Sequence, residues 1–322
     1  MRGIYEEILA SPEFADRPPV LVDVGAAGGM HAPWRPIARQ SVCLAFDPDE
    51  RDLAAARGDR GYRRCHVVRA IVTDRDAAAL ELHLTTSPHC SSTLRPRADA
   101  LAAYAHAGLF DVVGTAHVPS VRLETALAEH GLERIDWLKT DSQGLDRRVF
   151  ESLSPLQRKR VLVVDLEPGI LDGYEGEDKL RDVLDAFDSD NFWCASLVAR
   201  GAVRGSADVL ARHLGGSMLP VLPVTERTGA GWVEIEYINT FLDSAVRDVR
   251  DLLLGWVFSS LLGHHAFALE LADLGARLFP TDRRFARLTS LSVRGIRSRH
   301  RSGLLGRGLG RLRRMILGSR SS

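Results

Sequence analysis

Five short apolar runs, closed by Gly, Asp or Pro, constrain the fold of this chain more than any other feature. They are "PVLVDVG" (19–25), "SVCLAFDPD" (41–49), "CHVVRAIVTD" (65–74), "IDWLKTD" (135–141) and "RVLVVDLE" (160–167). Short runs rich in Val, Ile and Leu are typical of strands that are buried on both faces. Helix-like segments separate them, at 49–61, 120–132 and 145–160. This alternation predicts a parallel sheet with helices on both sides.

The rest of the chain adds a helix at 177–190 and strands at 192–201 and 231–242. The last strand alternates apolar and polar residues, which favours an antiparallel or edge position. We therefore expect an α/β, Rossmann-like fold with a mostly parallel, doubly wound sheet, an antiparallel edge strand and a helical C-terminal extension. The predicted domains are a sheet domain (1–242), a helical extension (243–281) and a basic, Arg-rich tail (282–322).

Charge is distributed unevenly along the chain, although the formal net charge is zero. The segment from Asp282 to the C-terminus has twelve Arg and one acid, which leaves 30 basic and 41 acidic side chains elsewhere. A basic run with interspersed Leu, Ile and Met suits peripheral contact with an anionic membrane. A solvated, disordered tail and docking on the acidic body are alternatives. Nucleic acid is disfavoured as a partner because no aromatic stacking platform accompanies the arginines.

Cysteine usage and the N-terminus predict a cytoplasmic protein, peripheral at the inner face of the membrane if the tail binds lipid. The four cysteines are scattered, with no C-x-x-C pair, which is typical of free thiols in the cytosol. Glu6 and Glu7 lie where a signal peptide needs an apolar run. The most apolar segment, at 252–263, is too short to span a bilayer.

The turn after the first strand, "VLVDVGAAGGMH", indicates a cofactor site, because small residues let the backbone approach a ligand closely. A dinucleotide fingerprint requires glycines where this chain has Ala27 and Met30. The pattern D-x-G-x-G-x-G is matched by Asp23, Gly25 and Gly29, with Ala27 as the one change. That pattern suits a cofactor that has a cationic amino group and no phosphate.

Two further strand ends supply candidate cofactor residues. Asp47 lies about twenty residues past the glycine turn, where an acid commonly accepts hydrogen bonds from ribose hydroxyls. Nicotinamide and adenosylmethionine enzymes share an acid at this position, and a helix N-cap is its structural alternative. Ile71 and Asp74 end the third predicted strand, where they would flank an adenine.

Six motifs occur in order: "DVGAAGG", "FDPD", "AIVTD", "CSSTL" (90–94), "LKTDSQGLD" (138–146) and "VVDLE". Together they resemble the FkbM family of S-adenosylmethionine-dependent methyltransferases. The resemblance implies transfer of a methyl group to a hydroxyl of a sugar, a glycolipid or polysaccharide, or a secondary metabolite. Three residues depart from the family pattern: Ala27 stands for the usual Asn, Asp47 for Glu, and Gln143 for Glu.

The fourth and fifth strands carry the candidate catalytic residues. In this fold their carboxyl ends face the transferred methyl group, and Asp141 and Glu167 occupy those ends. Lys139 lies on the same strand face as Asp141, so we expect it to fix that carboxylate. His89 is an alternative base because histidine titrates near neutral pH. Two carboxylates could also hold a divalent cation, but Gln143 removes a ligand, and we assign no metal site.

Two other hypotheses remain open at this stage. A nicotinamide-dependent oxidoreductase would share the acid at Asp47, but the fingerprint glycines are absent at Ala27 and Met30. A non-catalytic binding or scaffold protein could retain the same fold, since fold alone does not establish activity.

Overall fold

The computed structural model of the chain describes residues 2–26, 29–49, 61–188 and 191–318. It divides into two compact units, Met1–Val246 and Arg247–Ser322, each described here by itself. The predicted helix at 49–61 lies almost entirely outside the described residues, as does Ala27.

The larger unit contains all of the described strands. They are β1 (Val20–Val24), β2 (Val42–Phe46), β3 (Arg64–Val68), β4 (Ile71–Val72), β5 (Ala77–Thr85), β6 (Val112–Val121), β7 (Trp137–Thr140), β8 (Val163–Leu166), β9 (Phe192–Ala202) and β10 (Gly229–Asn239). Seven of them form one sheet in the order β3-β2-β1-β7-β8-β10-β9. The first five in that order are parallel, and β10 runs antiparallel to β8 and β9. The predicted fold class is therefore confirmed, with the reversed strand one place in from the edge.

The described helices complete both units. In the larger unit they are α1 (Arg2–Leu9), α2 (Ala98–Leu101), α3 (Leu123–Glu129), α4 (Asp146–Glu151), α5 (Pro155–Arg160), α6 (Leu180–Asp188), α7 (Ala207–Leu214) and α8 (Leu222–Thr225). In the smaller unit they are α9 (Val249–Leu261), α10 (His265–Leu278) and α11 (Arg283–Gly318). The predicted helix at 145–160 is divided into α4 and α5. The division occurs because Ser154 caps α5, accepting from the Gln157 N–H at 3.4 Å, and Pro155 opens it.

A second, three-stranded sheet in the order β4-β6-β5 was missed by the sequence analysis. The run at 65–74 was expected as one strand, but it is divided between β3 and β4. Strand β6 escaped detection because most of its side chains are exposed or half-buried, and Val118 is its one buried hydrophobic residue. A strand with so little buried surface has no continuous apolar run.

One face of the large sheet packs on the main hydrophobic core. Val22, Leu138 and Val164 lie there beneath side chains of α3, α4 and α6. The ring of Phe187 stacks on Tyr237 with centroids 4.1 Å apart. This contact gives Tyr237 a packing role in the core.

The sheet carries a row of charged residues in register across three strands. Asp23 on β1 is paired with Lys139 on β7, and Lys139 is paired with Asp165 on β8. Asp165 accepts a hydrogen bond from the Trp137 indole N–H at 2.8 Å and lies 3.2 Å from His31 Nε2. These contacts give Asp165 a structural role, separate from that of Glu167 two residues later.

The smaller unit is helical. Asp248 caps helix α9, and its carboxylate accepts from the Asp251 N–H at 2.7 Å. Trp256 on α9 donates to the Ser292 hydroxyl of α11 at 2.9 Å. The backbone of the basic segment is helical within α11 as far as Gly318. Across the described residues, no helix combines the length and apolarity needed to cross a bilayer.

Candidate active site

The ends of β1, β2 and β7 converge at Gly25. Its N–H donates to the Phe46 carbonyl at 3.0 Å, and the Asp141 N–H donates to the Val24 carbonyl at 2.9 Å. Gly25 has a φ of +76°, and a Cβ there would lie 2.2 Å from the Asp141 carbonyl oxygen. Only glycine fits this position. The strand order also reverses direction here, between β1 and β7, as at the ligand crevice of open α/β sheets.

Lys139 binds the first strand directly. Its Nζ lies 3.3 Å from Asp23 Oδ1 and donates to the Gly25 carbonyl at 3.0 Å. Burial lowers the pKa of Lys139, but the carboxylates of Asp23, Asp141 and Glu167 outweigh burial and raise it. The ammonium is therefore charged at neutral pH. We expected Lys139 to fix Asp141, but its close ion pair is with Asp23, and its effect on Asp141 is electrostatic.

Gln143 makes the direct contact with Asp141. Its amide Nε2 donates to Asp141 Oδ1 at 2.5 Å, and its Oε1 lies 2.9 Å from the Tyr174 hydroxyl. The backbone of Gln143 has a φ of +53°, and its carbonyl accepts from the Ser92 hydroxyl at 2.8 Å. Sequence reasoning missed Tyr174, because it lies in a loop 31 residues away with no motif around it.

Glu167 is the candidate catalytic group with a strongly perturbed pKa. The pKa of Glu167 is raised to about 8, because burial and the negative charge of Asp141 raise it more than the Lys139 ammonium lowers it. A carboxylate of this kind changes charge near physiological pH, as general bases do. Asp146, which the sequence analysis did not select, is fully buried, and burial raises its pKa to about 6. Its Oδ1 accepts from the Ser142 hydroxyl at 3.0 Å, so it supports the turn after Asp141.

A first cleft lies beside the glycine turn and is lined by three of the seven predicted cofactor residues, Gly25, Asp47 and Ile71. Asp47 and Asp49 are both buried in it, and the Asp49 N–H donates to Asp47 Oδ1 at 2.9 Å. The Ser91 hydroxyl donates to Asp49 Oδ2 at 3.3 Å. Sequence reasoning selected Asp47 alone, although the "FDPD" motif offered Asp49 as a second acid.

Asp23, another predicted cofactor residue, is buried beside Lys139 and does not belong to the described lining of the cleft. The apolar wall includes Phe46, Ala70, Ile71, Val72 and Leu82. Asp74 is exposed, accepts from the Thr73 hydroxyl at 3.0 Å, and does not belong to the described lining. Gly29 has a φ of +107°, and no heavy atom of the described residues lies within 4 Å of a Cβ added there.

A second, larger cavity of about 710 Å³ adjoins the cleft. His89, Asp141 and Gln143 line both, so the two spaces meet at these side chains. Glu167 and Trp232 line the larger cavity. Among the described residues, no group of three or more His, Cys, Asp or Glu side chains is placed to hold a metal ion.

Comparison with known protein families finds one matching model, described as the methyltransferase FkbM domain, over residues 23–192. The match covers more than half of the chain. It begins at Asp23 and includes Asp47, Asp141 and Glu167, the strand-end acids of the site. The walls of the larger cavity between residues 201 and 232 lie beyond it. No curated protein matches the chain.

Proposed function

This chain belongs to the FkbM family of methyltransferases, and we propose that it transfers a methyl group from S-adenosylmethionine to a hydroxyl of a small-molecule or glycan acceptor. One observation carries the proposal: a cleft with buried acids and a larger cavity meet at Asp141 and Gln143. Two substrates that react by direct transfer need such adjoining spaces, because the reacting atoms must be held in line and close together.

The cleft fits a nucleoside cofactor in its chemistry. Asp47 and Asp49 offer carboxylate oxygens for ribose hydroxyls, and Ile71 and Val72 offer an apolar surface for an adenine.

The proposed chemistry requires one proton to be moved. S-adenosylmethionine, when bound, supplies an electrophilic methyl group on a sulfonium. Glu167 in its carboxylate form accepts the proton of the acceptor hydroxyl, and Asp141 orients that hydroxyl. The Lys139 ammonium balances the charge of the nearby carboxylates. His89, which lines both spaces, is a second candidate base.

The alternatives differ from this proposal in what the protein binds. An oxidoreductase would bind NAD, against which Ala27 and Met30 argue. A scaffold protein would need neither the cavity nor the acids at its junction with the cleft. A cytoplasmic location, with peripheral membrane contact through the basic tail, remains part of the proposal.

Calorimetry with S-adenosylhomocysteine and with NAD tests the proposal. We expect the first to bind and the second not to bind; the reverse result would overturn the proposal. Asp47→Ala should weaken binding about 10- to 100-fold, because hydrogen bonds to charged groups contribute about 1.5–3 kcal/mol. Asp74→Ala is the matched control, since its carboxylate lies outside the described cleft lining, and it should change affinity less than twofold. Asp141→Ala should retain binding and lose turnover.

A further inference from the structure

The larger cavity is apolar over most of its wall. Its side chains include Leu101, Phe110, Leu171, Val203, Leu219 and Trp232. Two of its polar groups are already engaged: the Tyr174 hydroxyl lies 2.8 Å from the Cys90 carbonyl and 2.9 Å from Gln143 Oε1, and Glu177 pairs with Lys179 at 3.2 Å. A sugar ring in this part of the cavity would leave hydroxyl groups without partners, which is unfavourable.

Apolar side chains continue from this wall to the surface. We define the apolar lip as Leu109, Met218, Val221 and Val224. They are 46%, 41%, 43% and 88% exposed, respectively. Leu109 also lines the cavity, as do Leu219, Pro220 and Pro223, which neighbour the other three lip residues in the chain. Residues 214–225 contain no charged side chain. Clustered exposed apolar residues usually mark a binding surface.

We propose that this cavity binds an amphiphilic acceptor, an alcohol whose head reaches Asp141 and Glu167 and whose hydrocarbon body fills the cavity. A tail longer than the cavity leaves across the apolar lip. The position of the head rests on the proposed function, whereas the apolar body rests on the cavity and the lip alone. Residues 201–232, which supply much of this surface, lie beyond the family match.

A series of probes that differ only in alkyl chain length tests whether the acceptor is amphiphilic. The full chain, with S-adenosylhomocysteine present, is titrated by calorimetry with hexyl, octyl, decyl and dodecyl glucoside below their micelle concentrations, and with glucose. We expect affinity to rise up to about fourfold for each added CH₂, the equivalent of about 0.8 kcal/mol. Glucose should give no saturable binding over the same concentrations. If affinity does not change with alkyl chain length, the proposal is overturned.

Substitutions separate the cavity from the lip. Val224→Asp, at a highly exposed position, should lower dodecyl glucoside affinity at least fivefold and leave hexyl glucoside unchanged. Leu219→Asp, in the cavity wall, should weaken both. Leu156→Asp is the matched control, because Leu156 is 53% exposed on α5 and lies outside the cavity lining. Equal dodecyl affinities in Val224→Asp and the unaltered chain would overturn the role of the lip.

The same titrations distinguish failure of this inference from failure of the proposed function. If S-adenosylhomocysteine binds while the glucoside series shows constant affinity, the amphiphilic acceptor is excluded and methyl transfer stands. If the series rises with chain length while S-adenosylhomocysteine fails to bind, the cavity assignment stands and the cofactor assignment falls.

Discussion

The Gln143 amide lies 2.5 Å from the Asp141 carboxylate. The backbone of Gln143 is in the left-handed conformation, which residues other than glycine rarely adopt. Backbone conformations of this kind persist only where the surrounding structure enforces them, often at functional sites. Here the enforcing contacts are the Ser92 hydroxyl on the Gln143 carbonyl and the Tyr174 hydroxyl near its Oε1. Gln143 therefore positions Asp141, a role that the usual family Glu could not fill with the same donor.

Gln143→Ala should lower kcat about 10- to 100-fold and change S-adenosylhomocysteine affinity less than twofold. The reason is that a misplacement of about 1 Å at a reacting group costs as much as a hundredfold in rate. Gln143→Glu should not restore the rate, because it removes the N–H donor and adds a like charge beside Asp141. Gln157→Ala is the control, since that amide donates to the Glu133 carbonyl at 2.8 Å, away from the site. Unchanged steady-state kcat in Gln143→Ala would refute the positioning role.

The pH dependence of turnover should follow Glu167. Because its pKa is raised to about 8, the carboxylate form is scarce below that pH. We therefore expect kcat/KM to rise through about pH 8. Glu167→Gln should lower kcat by about 10²–10⁴ and abolish the rise. Glu236→Gln is a matched control. Burial and the charge of Asp165 raise the pKa of Glu236 to about 8 as well, but Glu236 does not belong to the described lining of the cleft or of the larger cavity. If Glu167→Gln leaves the pH profile of kcat/KM unchanged, another residue is the general base.

The same shift has a consequence for stability. The pKa of Glu167 is raised in the folded state, so folding favours the protonated form. Its contribution to stability is present below about pH 4.5, its ordinary pKa, and is lost as pH rises through about 8. Glu167→Gln should therefore become more stable relative to the unaltered chain as pH rises across this window, as thermal melts at several pH values would measure.

At the scale of elements, the site depends on how closely the turn after β1 approaches the end of β7. Gly25→Ala should destabilise the fold by about 2–5 kcal/mol. The left-handed backbone contributes roughly 1–2 kcal/mol, and the clash with the Asp141 carbonyl contributes about 1–3 kcal/mol. Gly131→Ala isolates the backbone contribution, because its φ is +66° and no heavy atom of the described residues lies within 4 Å of its added Cβ. If urea denaturation shows that Gly25→Ala and Gly131→Ala lose the same free energy of unfolding, the clash with the Asp141 carbonyl makes no contribution.

At the scale of the whole molecule, the concentration of arginine at the C-terminus predicts a salt-sensitive association. Residues 301–322 contain six Arg and no acid. We expect the full chain to float with vesicles rich in anionic lipid at low salt, and a chain ending at residue 300 to remain at the bottom of the gradient. High salt should release the full chain, since exposed charges are screened beyond about 10 Å at 0.1 M. If the chain ending at residue 300 still floats with the anionic vesicles, the tail is not the membrane contact. Zwitterionic vesicles serve as the control.

The sequence alone was sufficient to predict the large sheet, the family and the order of the acids at the strand ends. Strands buried on both faces require continuous apolar runs, and those runs are visible without a structure. The carboxyl ends of parallel strands meet at one edge of a sheet, and the apolar runs place Asp23, Asp47, Asp141 and Glu167 at or next to those ends.

Only the tertiary structure showed what surrounds those acids. The contact of Gln143 with Asp141 and Tyr174, the ion pair of Lys139 with Asp23, and the large cavity all join segments that are distant in the chain. Loops have no periodic pattern from which such contacts can be predicted. The raised pKa of Glu167 likewise depends on burial, and burial is a property of the packed molecule that no local stretch of residues encodes.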